Sequence, residues 1–343
     1  MPKTIPVIPA ESVANLPLSW QQQLAQAITE PDQLLKILQI APENFANNVP
    51  ASEQFSIKVP RAFVSKMQIG NPRDPLLLQV MAQSQEILSV EGYGCDPVGD
   101  LDANKTPGLL HKYAGRVLLI TTAACAVHCR YCFRRHFPYQ HHQAGREQWV
   151  QAIEYIQNDS SISEVILSGG DPLVLSDERL DELISLLEAI PHLSRLRIHS
   201  RLPVVLPDRI TGALVSRLQK SRFNICVVIH ANHANEIGNE EICALSKLKR
   251  AGVHLLNQAV LLEGINNNIE DQINLSEALF AAGVLPYYLH LLDAVQGAAH
   301  FDVELQAGLS LISQMQCRLA GFLVPKLVRE IAGEVSKTPA NEL

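Results

Sequence analysis

The chain has 343 residues, 47% of them apolar and 18% charged, which suits one large α/β domain with a helical annex and argues against a disordered or fibrous protein. Its 28 Lys and Arg against 35 Asp and Glu give a formal charge of −7 with no dense basic run. Nothing therefore points to nucleic acid or an anionic membrane surface, and small-molecule chemistry is the default. No apolar stretch approaches the roughly 20 residues that span a bilayer. The opening MPKTIPVIPAESVANLP lacks the apolar core and cleavage site of a secretory signal, so a cytoplasmic location is expected. In a reducing compartment clustered cysteines read as metal ligands instead of disulfides, and three of the seven crowd into eight residues.

From Leu16 to about Val90, WQQQLAQAI, DQLLKILQI, VPRAFVSKM and DPLLLQVMAQSQEIL set apolar residues at three- and four-residue spacing between prolines. This predicts a helical N-terminal region, which with the loop GYGCDPVGDLDANKTPG occupies residues 1–110. The first strand is RVLLITT, from Arg116 to Thr122. Apolar runs then recur at a beat of about thirty residues, the length of a βα repeat: EVILS from Glu164, RLRIHS from Arg195, ICVVIH from Ile225, VHLLNQAVL from Val253 and PYYLHLL from Pro286. Between them lie amphipathic segments, EQWVQAIEYIQN, SDERLDELISLLEAI, RITGALVSRLQK, NEEICALSKLKRAG and EDQINLSEALFAAG. Several open at Ser, Asp or Asn and two close at Gly, as capped helices do. Continuous apolar strands alternating with helices indicate a parallel sheet covered on its outer face. The expectation is an α/β fold, a partial (β/α)6 TIM-like barrel over 111–325, with a further short strand at GFLVP (321–325) and a C-terminal segment at 326–343.

In such barrels the chemistry sits at the carboxyl ends of the strands. There the sequence places Thr121 and Thr122 leading to the cysteines, Ser168-Gly169-Gly170-Asp171, His199, His230, Asn257 with Gln258, and His290 with Asp293. Cys125-Ala-Val-His-Cys129-Arg-Tyr-Cys132 is a C-x3-C-x2-C loop directly after the first strand. A structural zinc site wants four ligands, and a four-cysteine ferredoxin cluster needs one more cysteine nearby. Three thiolates on an iron–sulfur cluster leave one iron open, free to chelate the amino and carboxylate groups of a small molecule and pass it an electron. Zinc completed by His128, His136 or a distant cysteine is the competing reading. The Gly169-Gly170 turn would let backbone approach a ligand and offer amide donors.

The cysteine spacing, on this loop, resembles the radical S-adenosylmethionine superfamily. HKYAGRVLLITTAACAVHCRYCFRRHF, ILSGGDPL, HANHANEI, LNQAVLLEGIN and GFLVPKLVREIAGEVSKTP are together similar to the lysine 2,3-aminomutase family, from about Glu91 to Pro339. The nearest likeness is to its short bacterial branch, which serves (R)-β-lysylation of elongation factor P. This resemblance implies a radical S-adenosylmethionine partial barrel that also carries pyridoxal phosphate and moves the α-amino group of L-lysine to the β carbon.

By the same resemblance, Cys125, Cys129 and Cys132 would ligate a [4Fe–4S] cluster. Lys337 would hold pyridoxal phosphate as a Schiff base, which transimination by the substrate amine requires. Arg134 would bind the lysine carboxylate through its planar fork, and Asp293 and Glu330 would surround the side-chain ammonium. Arg116 would hold the coenzyme phosphate, with Tyr113 near the ring and Lys112 in the same stretch. Ser168, Gly170, His230 and Gln258 would line the S-adenosylmethionine pocket. Implied partners are a ligase that attaches β-lysine to elongation factor P and an electron donor such as flavodoxin, with room for a homo-oligomer. Ala332-Gly333-Glu334-Val335-Ser336 replaces the glycine run of longer aminomutases, so a less supple loop around Lys337 is expected. The chain stops at Leu343, without the extension that supplies zinc cysteines in those enzymes, so zinc is not expected. Two rival readings are a radical S-adenosylmethionine enzyme without pyridoxal phosphate, acting on another amine or a protein side chain, and a non-catalytic cluster- or zinc-binding scaffold.

Overall fold

The computed structural model describes residues 18–45, 49–139 and 146–343, so the expected helical start at Leu16 lies outside the described residues. Ten strands make one sheet whose order in space is the order in the chain. They are β1 (Asn104–Thr106), β2 (Leu109–Tyr113), β3 (Arg116–Thr122), β4 (Glu164–Gly169), β5 (Arg195–Ser200), β6 (Asn224–Ile229), β7 (His254–Val260), β8 (Leu285–His290), β9 (Lys326–Arg329) and β10 (Thr338–Pro339). From β3 to β9 every neighbouring pair is parallel. β1 and β2 extend one edge antiparallel to β3, and β10 extends the other antiparallel to β9. Six helical crossovers join the parallel strands, and among the described residues no pairing joins β1 to β10, so the fold is the expected α/β partial barrel.

Local sequence explains the helices. Ser176, Thr211 and Asn268 each accept a hydrogen bond from a backbone N–H of the turn they open. Gly252 and Gly283 follow the helices Asn239–Arg250 and Ile269–Ala281 at φ of +82° and +80°, conformations that side chains with a Cβ resist. Each crossover helix buries one stripe, such as Leu180, Leu183, Ile184 and Leu187 of Asp177–Glu188. Inside the barrel the period of two brings alternate residues to one interior cavity: Arg116 and Leu118 of β3, Ile166 and Ser168 of β4, Arg197 and His199 of β5, Tyr288 and His290 of β8.

The N-terminal region is helical but broken into short pieces, Trp20–Ala25, Pro31–Leu38, Val49–Gln54, Arg61–Val64 and Pro75–Leu78. Trp20, Leu34, Phe63, Leu77 and Met81 belong to the same continuous core as the barrel strands and helices. Among the described residues no helix is long and apolar enough to cross a membrane.

One expected strand is displaced. Gly321–Leu323 is a 3-10 turn, and the strand that follows is β9, Lys326–Arg329. The ladder against β8 pairs Leu289 with Leu327 and His290 with Val328. Pro325 has no N–H to give a ladder, and Phe322 lies outside, packed on Phe280 with ring centroids 5.2 Å apart. The apolar text of GFLVP thus serves a surface turn, while the strand hides between Lys326 and Arg329. The loop expected before the first strand also contains β1 and leads into β2.

The turn after β4 is pressed against the chain leaving β3. Gly170 N–H donates to the Thr122 carbonyl at 2.7 Å and Asp171 N–H to the Ala124 carbonyl at 2.9 Å. A Cβ on Gly170 would run into the Ala124 carbonyl and come within 2.8 Å of the Ala123 carbonyl carbon. Gly170→Ala is expected to cost about 1–3 kcal/mol, the usual range for overpacking a tight site. Chemical denaturation measures it, and an unchanged midpoint would contradict this packing.

Candidate active site

A cavity of about 530 Å³ opens at the carboxyl ends of the barrel strands, within the size range of small-molecule sites. Cys125, Cys129, Cys132, Arg134, Ser168, Gly170, His230, Gln258, Tyr113, Arg116, Asp293, Glu330 and Lys337 all line it. The structure thus gathers into one chamber the residues to which the family resemblance gave roles, while Thr121, Thr122 and Asn257 of the strand ends do not line it. Two details differ from expectation. The Gly170 amide is already bonded to Thr122, so this glycine gives close packing instead of a free donor. Glu330 is not an open carboxylate but is gripped by two lysines.

One wall is the cysteine loop. Its backbone is held from the N-terminal region: Lys58 Nζ donates to the Cys125 carbonyl at 2.9 Å, and the His128 and Arg130 N–H groups donate to Lys58 and Gln79 carbonyls, both at 2.9 Å. Arg130, fully buried, grips both oxygens of Glu86 at 2.8 and 2.5 Å. The Cys129 sulfur accepts from Arg201 Nη1 at 2.8 Å. Burial, with the neighbouring thiols, pushes Cys132 up to about 11 and Cys125 well above the usual thiol range.

Buried thiols that raise one another's pKa stand together, and a metal that binds them as thiolates would displace their protons. They fit a [4Fe–4S] cluster, in which each cysteine takes a different iron, so the sulfurs need not converge on one point. His128 and His136, which a zinc site could have used, turn instead to the carbonyls of Ser56 at 2.8 Å and Gln296 at 3.0 Å. Among the described residues no three His, Cys, Asp or Glu side chains converge to hold a single metal ion.

The opposite wall is a chain of alternating charges. Lys337 Nζ donates to Glu330 at 2.6 Å, Lys112 Nζ bridges Glu330 at 2.9 Å and Asp100 at 2.6 Å, and Arg134 Nε donates to Asp100 at 2.6 Å. Arg134 Nη1 continues to Ser168 Oγ at 3.2 Å. Burial alone would raise Glu330, but the ammonium groups of Lys337 and Lys112 hold it well below the usual carboxylate range. Asp100 is lowered in the same way against its burial, by Arg134 and Lys112.

Asp293 is different: its Oδ1 is buried with no hydrogen-bond partner, and burial, only partly offset by Lys337, raises it to about 7. Burial also keeps His199, His230 and His290 neutral, His230 near 3, and Gln258 Nε2 donates to His230 Nε2 at 2.9 Å. The chamber therefore presents a buried carboxylate oxygen without a hydrogen bond, and its strand-end histidines carry no charge to pair with it. Arg116 stacks on the Tyr113 ring at 4.7 Å and has no carboxylate in reach among the described residues. With Lys337 Nζ 5.9 Å from the Tyr288 ring centre, an aldehyde-phosphate coenzyme would find an amine, an aromatic face and a free cation in one chamber.

Asp100 and Arg201 were not anticipated. Arg201 immediately follows β5, one residue beyond the run RLRIHS, in which the sequence singles out His199. Asp100 sits in Gly- and Asp-rich loop text with no distinguishing pattern.

The Radical SAM superfamily profile matches residues 119–275, the part of the chain that holds the cysteine loop and most of the parallel strands. An L-lysine 2,3-aminomutase of Escherichia coli is 50% identical over 93% of this chain and 94% of its own, and one of Haemophilus influenzae is 46% identical over 97% and 98%. That of Clostridium subterminale is 34% identical over 93% of this chain and 77% of its own. The protein is thus a radical S-adenosylmethionine enzyme. It belongs to the lysine 2,3-aminomutase family and is an isomerase, and the cofactors that go with that family are a [4Fe–4S] cluster, S-adenosylmethionine and pyridoxal phosphate.

Asp293 yields a pH prediction. A cation binds its ionised form, so affinity for lysine should rise as pH climbs through about 7 and level off above it. Calorimetric titration across that range measures this, and Asp293→Asn should flatten the slope and weaken binding at the alkaline end. A slope that survives in Asp293→Asn would contradict the assignment.

Proposed function

We propose that this protein converts L-lysine to (R)-β-lysine in the chamber described above, with Cys125, Cys129 and Cys132 as cluster ligands and Lys337 as the coenzyme lysine. One observation carries the reading: the three thiols and the Lys337 amine line the same cavity, although about two hundred residues of chain separate them. When bound, the cluster with S-adenosylmethionine supplies one-electron cleavage and a carbon radical, and pyridoxal phosphate supplies an electrophile and electron sink for the substrate amine.

The chain's own residues position the substrate between those groups. Arg134, fixed by Asp100 and Ser168, is oriented for the substrate carboxylate. Asp293 takes the side-chain ammonium, and Glu330 joins it. Lys112 pairs with Glu330 Oε1 and Lys337 with Oε2, so loss of the Lys337 charge would leave Oε2 available to the substrate cation while Lys112 still holds the other oxygen. An amino acid without a second cation would leave Asp293 buried and unpaired, a cost that selects for lysine. Ser168, Gly170, His230 and Gln258 line the S-adenosylmethionine part of the chamber, and Arg116 with Tyr113 the phosphate part.

Resemblance to the short EpmB branch supports a finer role, in which the product is handed to a ligase for (R)-β-lysylation of elongation factor P. The chain's near-complete coverage of its 46–50% identical relatives agrees with that branch, as against 77% of the longer relative. By the same resemblance the electron donor is of flavodoxin type, and the setting is the cytoplasm, where clustered cysteines serve as metal ligands.

The test is an anaerobic assay of reconstituted protein with lysine, S-adenosylmethionine, pyridoxal phosphate and reductant, read by mass spectrometry. Wild type should form β-lysine, and Lys337→Ala should retain its iron yet form none. Undiminished turnover in Lys337→Ala would favour a radical enzyme that works without pyridoxal phosphate.

A further inference from the structure

We infer that Arg201 sets the reduction potential of the cluster by donating a charged hydrogen bond to the sulfur of Cys129. The inference rests on the proposed cluster ligands and adds a tuning residue to them.

Arg201 is the first residue beyond β5 and is 5% exposed. Its backbone N–H donates to Asp171 at 2.8 Å, which fixes where the side chain starts. The side chain then runs between the Phe63 and Tyr131 rings, with centroids 5.3 and 5.7 Å from the guanidinium carbon. Nη1 donates to Cys129 Sγ at 2.8 Å. Nη2 donates to Gln79 Oε1 at 2.6 Å and Glu236 Oε2 at 3.1 Å.

These partners are themselves pinned. Gln79 Nε2 donates to the Pro75 carbonyl and to Glu236 Oε1, so its oxygen must face Arg201. Glu236 Oε1 also accepts the N–H groups of Asn232 and His233. The guanidinium cannot swing from the sulfur without leaving Glu236 buried and unpaired. No other Lys or Arg side chain among the described residues donates to one of the three sulfurs: Arg130 and Arg135 are committed to Glu86, and Lys58 to the Cys125 carbonyl.

Reduction adds one electron, hence one negative charge, to the cluster and its thiolates. A hydrogen-bonded cation in a buried setting stabilises that added charge more than it stabilises the oxidised form, so it makes the electron easier to accept. A purely structural arginine would affect assembly and leave the potential alone.

The experiment compares wild type, Arg201→Met and Glu236→Gln, reconstituted anaerobically, with iron and sulfide assayed first and the midpoint then read by redox titration followed by electron paramagnetic resonance. Arg201→Met should move the midpoint negative by at least about 59 mV, a tenfold shift in a one-electron couple. Glu236→Gln removes the neutralising acid while keeping the arginine, and should move it positive. Full cluster content with a wild-type midpoint in Arg201→Met would overturn the inference. Should Arg201→Met fail to assemble a cluster, a midpoint in Glu236→Gln that is unchanged or more negative would overturn it instead. Absence of iron in the wild type would sink the proposed ligands themselves, an outcome distinct from a midpoint that does not move.

Discussion

Everything in this chamber depends on buried arginines having somewhere to put their charge. A guanidinium removed from water costs several kcal/mol unless its partners are close and well aligned. Arg130, with no exposed surface, meets that condition through both oxygens of Glu86 and the Phe55 carbonyl at 2.6 Å. Arg135 shares the same Glu86 at 2.9 Å, and both guanidinium groups stack on the Phe55 ring. Since Arg130 lies between Cys129 and Cys132, satisfying these charges also dictates the path of the cysteine loop. The N-terminal region thereby acquires a purpose: Phe55, Lys58, Gln79 and Glu86 are the pegs on which the loop hangs.

The far wall obeys the same rule with the signs in alternation. From Lys337 through Glu330, Lys112 and Asp100 to Arg134, each buried charge faces one of opposite sign, and the chain of pairs runs from the C-terminal strands to the loop after β3. The two halves of the proposed chemistry are therefore mechanically connected, since Arg134 is only two residues from Cys132. Among the described acids that line the chamber, Asp293 has a buried oxygen with neither a hydrogen bond nor an ion pair, whereas the equally buried Asp100 oxygen faces Lys112, and a chamber with one unanswered acid is built to receive a cation.

Much of the barrel was legible because apolar strand text recurs at a regular beat between amphipathic segments, buried almost throughout in β4 and at alternate residues in β5 and β7. β5 was bounded correctly, from Arg195 to Ser200, and β3 from Arg116 to Thr122. The edges were not legible. β1 and β10 are three and two residues long, and such short pairings leave no periodicity. β9 was misplaced because its flanking Lys326 and Arg329 look like surface text while GFLVP looks like core. In the site, the cysteines announce themselves by spacing, but Lys337 does not: as a sequence feature it is a lysine near a chain end, and only family resemblance raised it. Arg201, Asp100, Gln79 and Glu86 act through contacts with residues distant in sequence, and isolated polar residues of that kind carry no local pattern.

The central claim is that a radical generated at the cysteine wall reaches a lysine held from the opposite wall. Lysine deuterated at the β carbon, incubated with the reduced, reconstituted protein, S-adenosylmethionine and pyridoxal phosphate, tests it directly. Deuterium should appear in the 5′-deoxyadenosine recovered from the reaction. Deoxyadenosine formed in quantity without deuterium would show that the two walls do not act on one substrate.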